Sequence, residues 1–276
     1  MKNFVSPAWV SEKLNDRNII VIDCRGDLLD SNYGRREYES GHITGAAFLD
    51  IRDDLSSAQQ KHGGRNPLPD LDDLKRVLEN AGIGDDMTVI AYDELKIANA
   101  ARLCWMLRYI GHTKNCVLDG GIKKWISEGY PLTKDKTAKE PGQLTVSVNC
   151  DLIAEAGHVA EKSFDKDTCI IDSRTEVRYR GEIEPIDRVA GRIPGAVNFY
   201  WKNSLKEDGT VSSEQEIRQI FKGLEKYQEV IVYCGSGIDA AFNYMLLDEI
   251  GIRTRLYVGS FSDWITYPDN KIERGV

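Results

Sequence analysis

The sequence predicts an α/β protein of two similar domains in tandem, each a parallel sheet flanked by helices. Three observations support this fold class: an internal repeat, an alternation of short β-branched segments with helical segments in each copy, and a length of 276 residues, which suffices for two ordinary domains. Strands that alternate with helices along the chain are typical of a parallel sheet covered by helices.

The repeat consists of four pairs of segments that occur in the same order in both halves. The pairs are Ile19–Arg25 with Cys169–Arg174, Gly41–Ala47 with Gly191–Val197, Val89–Asp93 with Val230–Cys234, and Gly120–Trp125 with Gly259–Trp264. Asp23 and Asp172 are 149 positions apart, whereas Tyr92 and Tyr233 are 141 apart. The first half therefore contains extra residues, which we place in the Gly- and Pro-rich stretch 56–69.

The predicted elements follow from these segments. Ser6 followed by Pro7 is typical of the start of a helix. The first half should form strands at 19–23, 88–92 and 116–119 and helices at 71–81 and 97–110; the second should form strands at 168–172 and 229–233 and a helix at 238–250. We predict a first domain over 1–134, a linker over 135–150 with little periodicity, and a second domain over 151–276.

Composition excludes several classes of function. A hydrophobic fraction of 41%, a charged fraction of 29% and a net charge of −8 indicate a globular protein whose main partner is neither nucleic acid nor an anionic membrane. There is no apolar run of about 20 residues and no apolar signal core at the N-terminus. We expect a soluble, cytoplasmic protein that functions as a monomer.

The six cysteines, at positions 24, 104, 116, 150, 169 and 234, include no Cys-x-x-Cys pair, so we expect no metal site. In a cytoplasmic protein they should stay reduced, and most of them should be small core residues. The exception is Cys234.

Cys234 ends a buried strand and is followed by Gly235-Ser236-Gly237-Ile238, with a helix starting next. Such a turn directs backbone N–H groups inward and, with the helix start, forms a cradle for negative charge. We expect this cradle to lower the pKa of the thiol to about 6.5, which favours the nucleophilic thiolate. The alternative is that Cys234 is a structural residue packed against the following helix.

The corresponding position in the first half is Asp93, and the loop glycines are absent there. One half therefore keeps a reactive loop and the other does not, which indicates a catalytic domain paired with a scaffold domain.

The paired Asp-x-Arg strand ends, the two Gly-(His/Arg)-Ile-x-Gly-Ala segments and the Cys-Gly-Ser-Gly-Ile loop resemble the tandem rhodanese-domain sulfurtransferases over essentially the whole chain. The resemblance implies two rhodanese-like domains, of which the first is inactive and the second catalytic, with the active site in the cleft between them. It also implies double displacement: the Cys234 thiolate takes sulfur from an anionic donor, forms a persulfide and passes the sulfur to cyanide or a small or protein thiol, without a cofactor.

The resemblance also suggests roles for individual residues. Arg178 lies where the family binds the donor anion, and Ser236 would hydrogen-bond the reacting sulfur or relay a proton. Gly235, Gly237, Ile238 and Asp239 would form the rest of the binding loop. The uncharged loop favours 3-mercaptopyruvate over thiosulfate, because thiosulfate-type members carry Arg and Lys directly after the cysteine.

Other positions leave alternatives open. Asp239 stands where the family has Thr, and either raises the pKa of Cys234 or acts as an acid at the helix start. His62 matches the histidine of a proton relay, but Arg52 stands at the position of its acid. Arg188 is a further candidate, although Glu184 and Asp187 offer ordinary ion-pair partners.

Two rival functions remain. A cysteine phosphatase would need an arginine six residues after the cysteine, where this chain has Ala240. A non-catalytic relay module, which receives persulfide from a partner protein, is consistent with Asp239 and with the missing acid. Turnover of a small donor distinguishes the relay module from an enzyme.

Overall fold

The computed structural model describes residues 1–27, 30–94, 97–136 and 139–275. The chain forms two compact units. The first comprises Met1–Ser57, Pro69–Asn149 and Leu205–Val211; the second comprises Ala58–Leu68, Cys150–Ser204 and Ser212–Val276. Two short segments thus belong to the unit formed mainly by the other half. The predicted boundaries at 134 and 150 stay predictions, and residues 137 and 138 of the predicted linker lie outside the described residues.

The first unit contains a parallel five-stranded sheet in the order β1-β5-β4-β2-β3. Its strands are β1 (Phe4–Val5), β2 (Ile19–Asp23), β3 (Ala47–Phe48), β4 (Thr88–Tyr92) and β5 (Asn115–Leu118). Its helices are α1 (Pro7–Lys13), α2 (Tyr33–Ser40), α3 (Leu71–Asn80), α4 (Ala98–Tyr109) and α5 (Gly121–Ser127). The Ser6 side chain accepts a hydrogen bond from the backbone of Trp9, which confirms the predicted start of α1.

The second unit contains a parallel four-stranded sheet in the order β7-β6-β8-β9. Its strands are β6 (Thr168–Asp172), β7 (Val197–Asn198), β8 (Glu229–Tyr233) and β9 (Thr254–Leu256). Its helices are α6 (Ala156–Lys162), α7 (Glu176–Tyr179), α8 (Glu214–Ile220), α9 (Asp239–Glu249) and α10 (Ser260–Trp264). The two parallel sheets flanked by helices confirm the predicted fold class.

The predicted strands and helices agree with the structure to within one residue at each end. The sequence did not reveal β1, β3, β7 and β9, because strands of two or three residues at or near the sheet edges are too short to show a period. Among the described residues, no helix combines the length and the apolar character that a membrane span requires.

The repeated Asp-x-Arg segments have a structural explanation. In the first unit, Arg25 Nη2 lies 2.6 Å from Asp23 Oδ2 and donates to the carbonyl of Gly41 at 2.8 Å, while the Tyr92 hydroxyl donates to Asp23 at 2.7 Å. In the second unit, Arg174 Nη2 lies 2.6 Å from Asp172 Oδ2 and donates to the carbonyl of Gly191 at 2.7 Å. The Tyr233 hydroxyl donates to Asp172 at 2.7 Å. These groups are buried, so loss of one partner would leave an uncompensated charge at a cost of about 3–5 kcal/mol. The repeat therefore preserves a buried ion pair at the end of a central strand of each sheet.

Candidate active site

Cys234 follows β8 and is buried, with 1% of its surface exposed. Gly237 adopts a φ of 79°, a left-handed conformation that favours glycine and permits the tight turn into α9. The start of α10 braces the loop: the Cys234 N–H donates to Ser260 Oγ at 3.1 Å, and the Ser262 N–H donates to the Gly235 carbonyl at 3.0 Å. The loop is therefore held from both ends before any ligand binds.

Backbone amides surround the sulfur. The Gly237 N–H donates to Cys234 Sγ at 3.2 Å, and the N–H groups of Ser236 and Ala240 also hydrogen-bond the sulfur and favour its anionic form. The predicted cradle is present.

The predicted lowering of the thiol pKa was wrong. Burial raises the pKa of Cys234 above its ordinary value, and the negative charge of Asp239 raises it further. The three amides act in the opposite direction, but they do not outweigh these effects. The sequence pattern shows the amides and the helix start, whereas the loss of water around the sulfur depends on packing by the whole unit.

Arg178 lies beside this loop in a network of charges. Its Nε and Nη2 donate to Glu184 at 3.0 and 2.8 Å, and Nη2 donates to Asp187 at 3.1 Å. Glu184 also pairs with Arg174, at 3.2 Å. The side chains of Glu184 and Asp187 are only 2% and 3% exposed. Arg178 is thereby fixed at the site by buried carboxylates and connected to the Asp172–Arg174 pair at the end of β6.

A second arginine, Arg65, reaches the same network from the segment 58–68. Its Nη1 donates to Asp187, so Asp187 bridges Arg65 and Arg178. A Cβ added at Gly235 would lie 2.7 Å from Arg65 Nη2 and 3.4 Å from Arg178 Nη2. Both guanidinium groups therefore lie over Gly235, and a side chain added at this position would displace the guanidinium group of Arg65.

No sequence pattern indicated a role for Arg65. We predicted ordinary ion pairs of Arg188 with Glu184 and Asp187, but these two carboxylates pair with Arg174, Arg178 and Arg65. The available signal for Arg65 was its place in the stretch 56–69, the insertion that distinguishes the first half from the second. Its partner, however, is 122 positions away, and no local pattern indicates such a pair.

The remaining candidates lie in different surroundings. Ser236 and Ile238 are buried in the loop, at 7% and 8% exposure, and Asp239 is the first residue of α9. His62 Nδ1 lies 2.7 Å from Thr266 Oγ1, and its ring stacks on Tyr267.

Arg188 is exposed and donates to the carbonyl of Ile265 at 2.7 Å, not to Glu184 or Asp187. Arg52 belongs to the first unit, where its N–H donates to Asp50 at 2.7 Å. The proposed roles of His62, Arg188 and Arg52 stay predictions.

The first unit shows what replaces the cysteine. The carboxylate of Asp93, which is buried at the end of β4, accepts hydrogen bonds from the N–H groups of Ile97 at 2.7 Å and Asn99 at 3.0 Å. Burial raises the pKa of this carboxyl group to about 6. The amides that surround the sulfur in the second unit thus have a carboxylate as their partner in the first, which removes the nucleophile and stabilises the start of α4.

The other five cysteines differ in their exposure to solvent. Cys24, Cys104, Cys116 and Cys169 are buried, as predicted for most of the cysteines, whereas Cys150 is exposed. Burial raises the pKa of Cys169 to about 11 and that of Cys116 to about 12. Of these five, Cys150 is the thiol that solvent reaches.

Comparison with known proteins shows that the chain is similar to rhodanese-like domains and to sulfurtransferases that contain them. The model of the rhodanese-like domain matches residues 6–128 and 155–267. The chain is 36% identical over 272 residues to a probable 3-mercaptopyruvate sulfurtransferase of Pseudomonas aeruginosa, with 96% of each chain covered. It is 30% identical over 287 residues to the thiosulfate sulfurtransferase of Rattus norvegicus, covering 98% of this chain and 95% of the relative. The crystal structure of a 3-mercaptopyruvate sulfotransferase from Escherichia coli matches with a TM-score of 0.82 at 30% identity, covering 95% of this chain and 100% of the other.

Proposed function

The chain belongs to the rhodanese-like family and is a sulfurtransferase of the 3-mercaptopyruvate or thiosulfate type, and from this premise we propose that it transfers sulfur through a persulfide on Cys234. The observation that carries the proposal is the ring of backbone amides around Cys234 Sγ, with the Gly237 N–H at 3.2 Å. In this proposal the second unit is catalytic, and the first, with Asp93 in place of the cysteine, is a scaffold.

The reaction has two half-steps. The Cys234 thiolate attacks the sulfur of 3-mercaptopyruvate, an S–S bond forms and the C–S bond breaks. The electron pair of the broken bond remains on the carbon of the leaving group, which takes up the thiol proton and departs as pyruvate. A thiolate or cyanide acceptor then attacks the outer sulfur and releases the Cys234 thiolate. Because the donor product leaves before the acceptor reacts, the kinetics are ping-pong.

The amides contribute by stabilising negative charge on sulfur. The thiolate and the persulfide anion both carry this negative charge. Because the N–H groups already point at the sulfur, they need not reorganise when the charge develops. Since the pKa of the resting thiol is raised, only a minor fraction is thiolate at neutral pH. Arg178 provides the adjacent positive charge.

We propose 3-mercaptopyruvate as the preferred donor, because the loop Gly235-Ser236-Gly237 carries no charge of its own. Thiosulfate is the alternative donor. A direct comparison of kcat/KM for the two donors, with cyanide as the acceptor, tests this preference, and a higher value for thiosulfate would reverse it.

The site itself is tested by intact mass spectrometry after incubation with 3-mercaptopyruvate. We expect the protein to gain one sulfur atom, mapped to the peptide that contains Cys234, and we expect Cys234→Ser to gain none. Cys150→Ser is the matched control, because it removes an exposed thiol and should leave the modification intact. Persulfide formation in Cys234→Ser would disprove the assignment.

Steady-state turnover separates an enzyme from a relay module. An enzyme gives parallel double-reciprocal plots with a small donor and a small acceptor. A module that accepts persulfide only from a partner protein gives a negligible rate with every small donor.

A further inference from the structure

The segment 58–68 is attached to the same helix that braces the Cys234 loop. The Gly63 N–H donates to Asp263 at 2.7 Å, and the Arg65 N–H donates to Ser262 Oγ at 3.1 Å. The backbone of Ser262 in turn donates to Gly235. The position of Arg65 is therefore coupled to that of the reactive loop through α10, and its side chain begins from a fixed backbone.

Each of the two guanidinium groups over Gly235 keeps a nitrogen available to a ligand. A Cβ at Gly235 would lie 2.7 Å from Arg65 Nη2 and 3.6 Å from Arg178 Nη1. Among the residues that the structure describes, neither of these two nitrogens has a hydrogen-bond partner, because Asp187 and Glu184 bind the other nitrogens. Two N–H groups from separate segments thus converge beside the residue that follows the nucleophile.

Asp187 sets the charge of this site. Its carboxylate bridges the two arginines and is almost completely buried. Burial raises the pKa of Asp187, while Arg65 and Arg178 act in the opposite direction. The carboxylate binds Nη1 of Arg65 and Nη2 of Arg178, and an anion that offers two oxygens is the chemistry that suits the remaining Nη2 of Arg65 and Nη1 of Arg178.

We propose that Arg65 is a donor-binding residue that binds the anionic group of the donor together with Arg178, and that the negative charge of Asp187 reduces the attraction of the two guanidinium groups for the donor. The chemical class of ligand is a carboxylate or sulfonate placed next to the sulfur to be transferred. The inference rests on the proposed function for the identity of the donor, but the anion site can be tested without sulfur transfer.

Two alkylating agents that differ in charge provide the test. Iodoacetate carries a carboxylate and iodoacetamide does not, so the ratio of their rates at one cysteine measures attraction of an anion to that thiol. Peptide mass spectrometry gives this ratio separately for Cys234 and for Cys150, which is exposed and serves as an internal reference. In the unmodified protein the ratio at Cys234 should exceed that at Cys150.

Arg65→Ala should lower the iodoacetate-to-iodoacetamide ratio at Cys234 by about 10-fold, the effect of losing one charged hydrogen bond, and leave the ratio at Cys150 unchanged. Arg65→Lys keeps the charge but loses the planar group, so its ratio should be intermediate. Arg253→Ala removes an exposed arginine that pairs with Asp151 in the same unit, and should not change the ratio at Cys234.

Asp187→Asn distinguishes binding from a structural role. Removal of this negative charge should raise the ratio at Cys234, whereas Arg65→Ala lowers it. If Arg65 and Asp187 only held the segment 58–68 in place, both variants would change the ratio in the same direction or not at all, and either result would overturn the proposal.

Donor kinetics complete the test. With 3-mercaptopyruvate, Arg65→Ala should raise KM by about 10-fold and change kcat by less than about 3-fold. If alkylation follows the expected pattern but Cys234 never forms a persulfide, the proposed function fails and the anion site stands. If a persulfide forms and the ratio does not respond to Arg65→Ala, only the inference about Arg65 fails.

Discussion

Asp239 provides a direct test of how charge controls the reactive thiol. Its carboxylate raises the pKa of Cys234, second only to burial. Asp239→Asn keeps the size of the side chain at the first position of α9 and removes its charge. We expect the pKa of Cys234 to fall, because the thiolate no longer faces a negative charge.

The size of the effect follows from Coulomb's law. A unit charge on the order of 6 Å from a thiolate contributes about 0.7 to 2.8 kcal/mol as the effective dielectric constant falls from about 80 to about 20, which is on the order of one pKa unit. Below the pKa the thiolate fraction then rises about 10-fold, but a thiolate of lower pKa is about 3-fold less nucleophilic. The net rate of alkylation should rise about 3-fold at neutral pH and fall about 3-fold on the alkaline plateau.

The assay is the rate of iodoacetamide reaction at Cys234 as a function of pH, followed by peptide mass spectrometry. The midpoint of the profile should move to lower pH by about one unit in Asp239→Asn. Glu249→Gln is the matched control, because Glu249 lies at the opposite end of α9 and its charge should not affect the midpoint. Thermal unfolding of Asp239→Asn should reveal the accompanying loss of a helix-start acid, worth about 0.3–1 kcal/mol.

An unchanged midpoint, with reduced stability, would refute the coulombic explanation and assign Asp239 to the helix start alone. A shift to higher pH would contradict the direction of the electrostatic argument itself.

Three further predictions concern the network and the scaffold. Arg178→Ala should lower kcat/KM for 3-mercaptopyruvate by about 10- to 100-fold, because a charged hydrogen bond contributes about 1.5–3 kcal/mol; an unchanged value would remove Arg178 from the donor site. Gly235→Ala should raise KM, since the added Cβ would meet Arg65 Nη2 at 2.7 Å, and the double variant with Arg65→Ala should be no worse than either single variant. Burial raises the pKa of Asp93 to about 6, so the stability that this group contributes is complete below pH 4 and is lost as pH rises through about 6. The free energy of unfolding in urea should therefore increase for Asp93→Asn relative to the unmodified protein as pH rises from about 4 to about 7. A difference between the two proteins that does not change with pH would contradict the raised pKa of this carboxyl group.

The elements that the sequence predicted well are those with local signals. The strands that end at Asp23, Tyr92, Asp172 and Tyr233 were found because β-branched runs of five residues are bounded by turn residues. The repeated Asp-x-Arg segments could be recognised as a pair of equivalent positions, although only the structure showed that they form buried ion pairs. The short strands β1 and β9 gave no comparable signal, since their position depends on pairing with distant strands.

The sequence by itself determined the two-sheet architecture, the position of Cys234 at a strand end and the identity of the loop that follows, because these depend on the order of neighbouring residues. The tertiary structure decided the electrostatics of the site. It brought Arg65 to Asp187 across 122 positions and aligned both guanidinium groups over Gly235. It also buried the thiol so deeply that its pKa rises despite three amides. Charge interactions and loss of solvent depend on distances in space, and residues far apart in the chain set those distances.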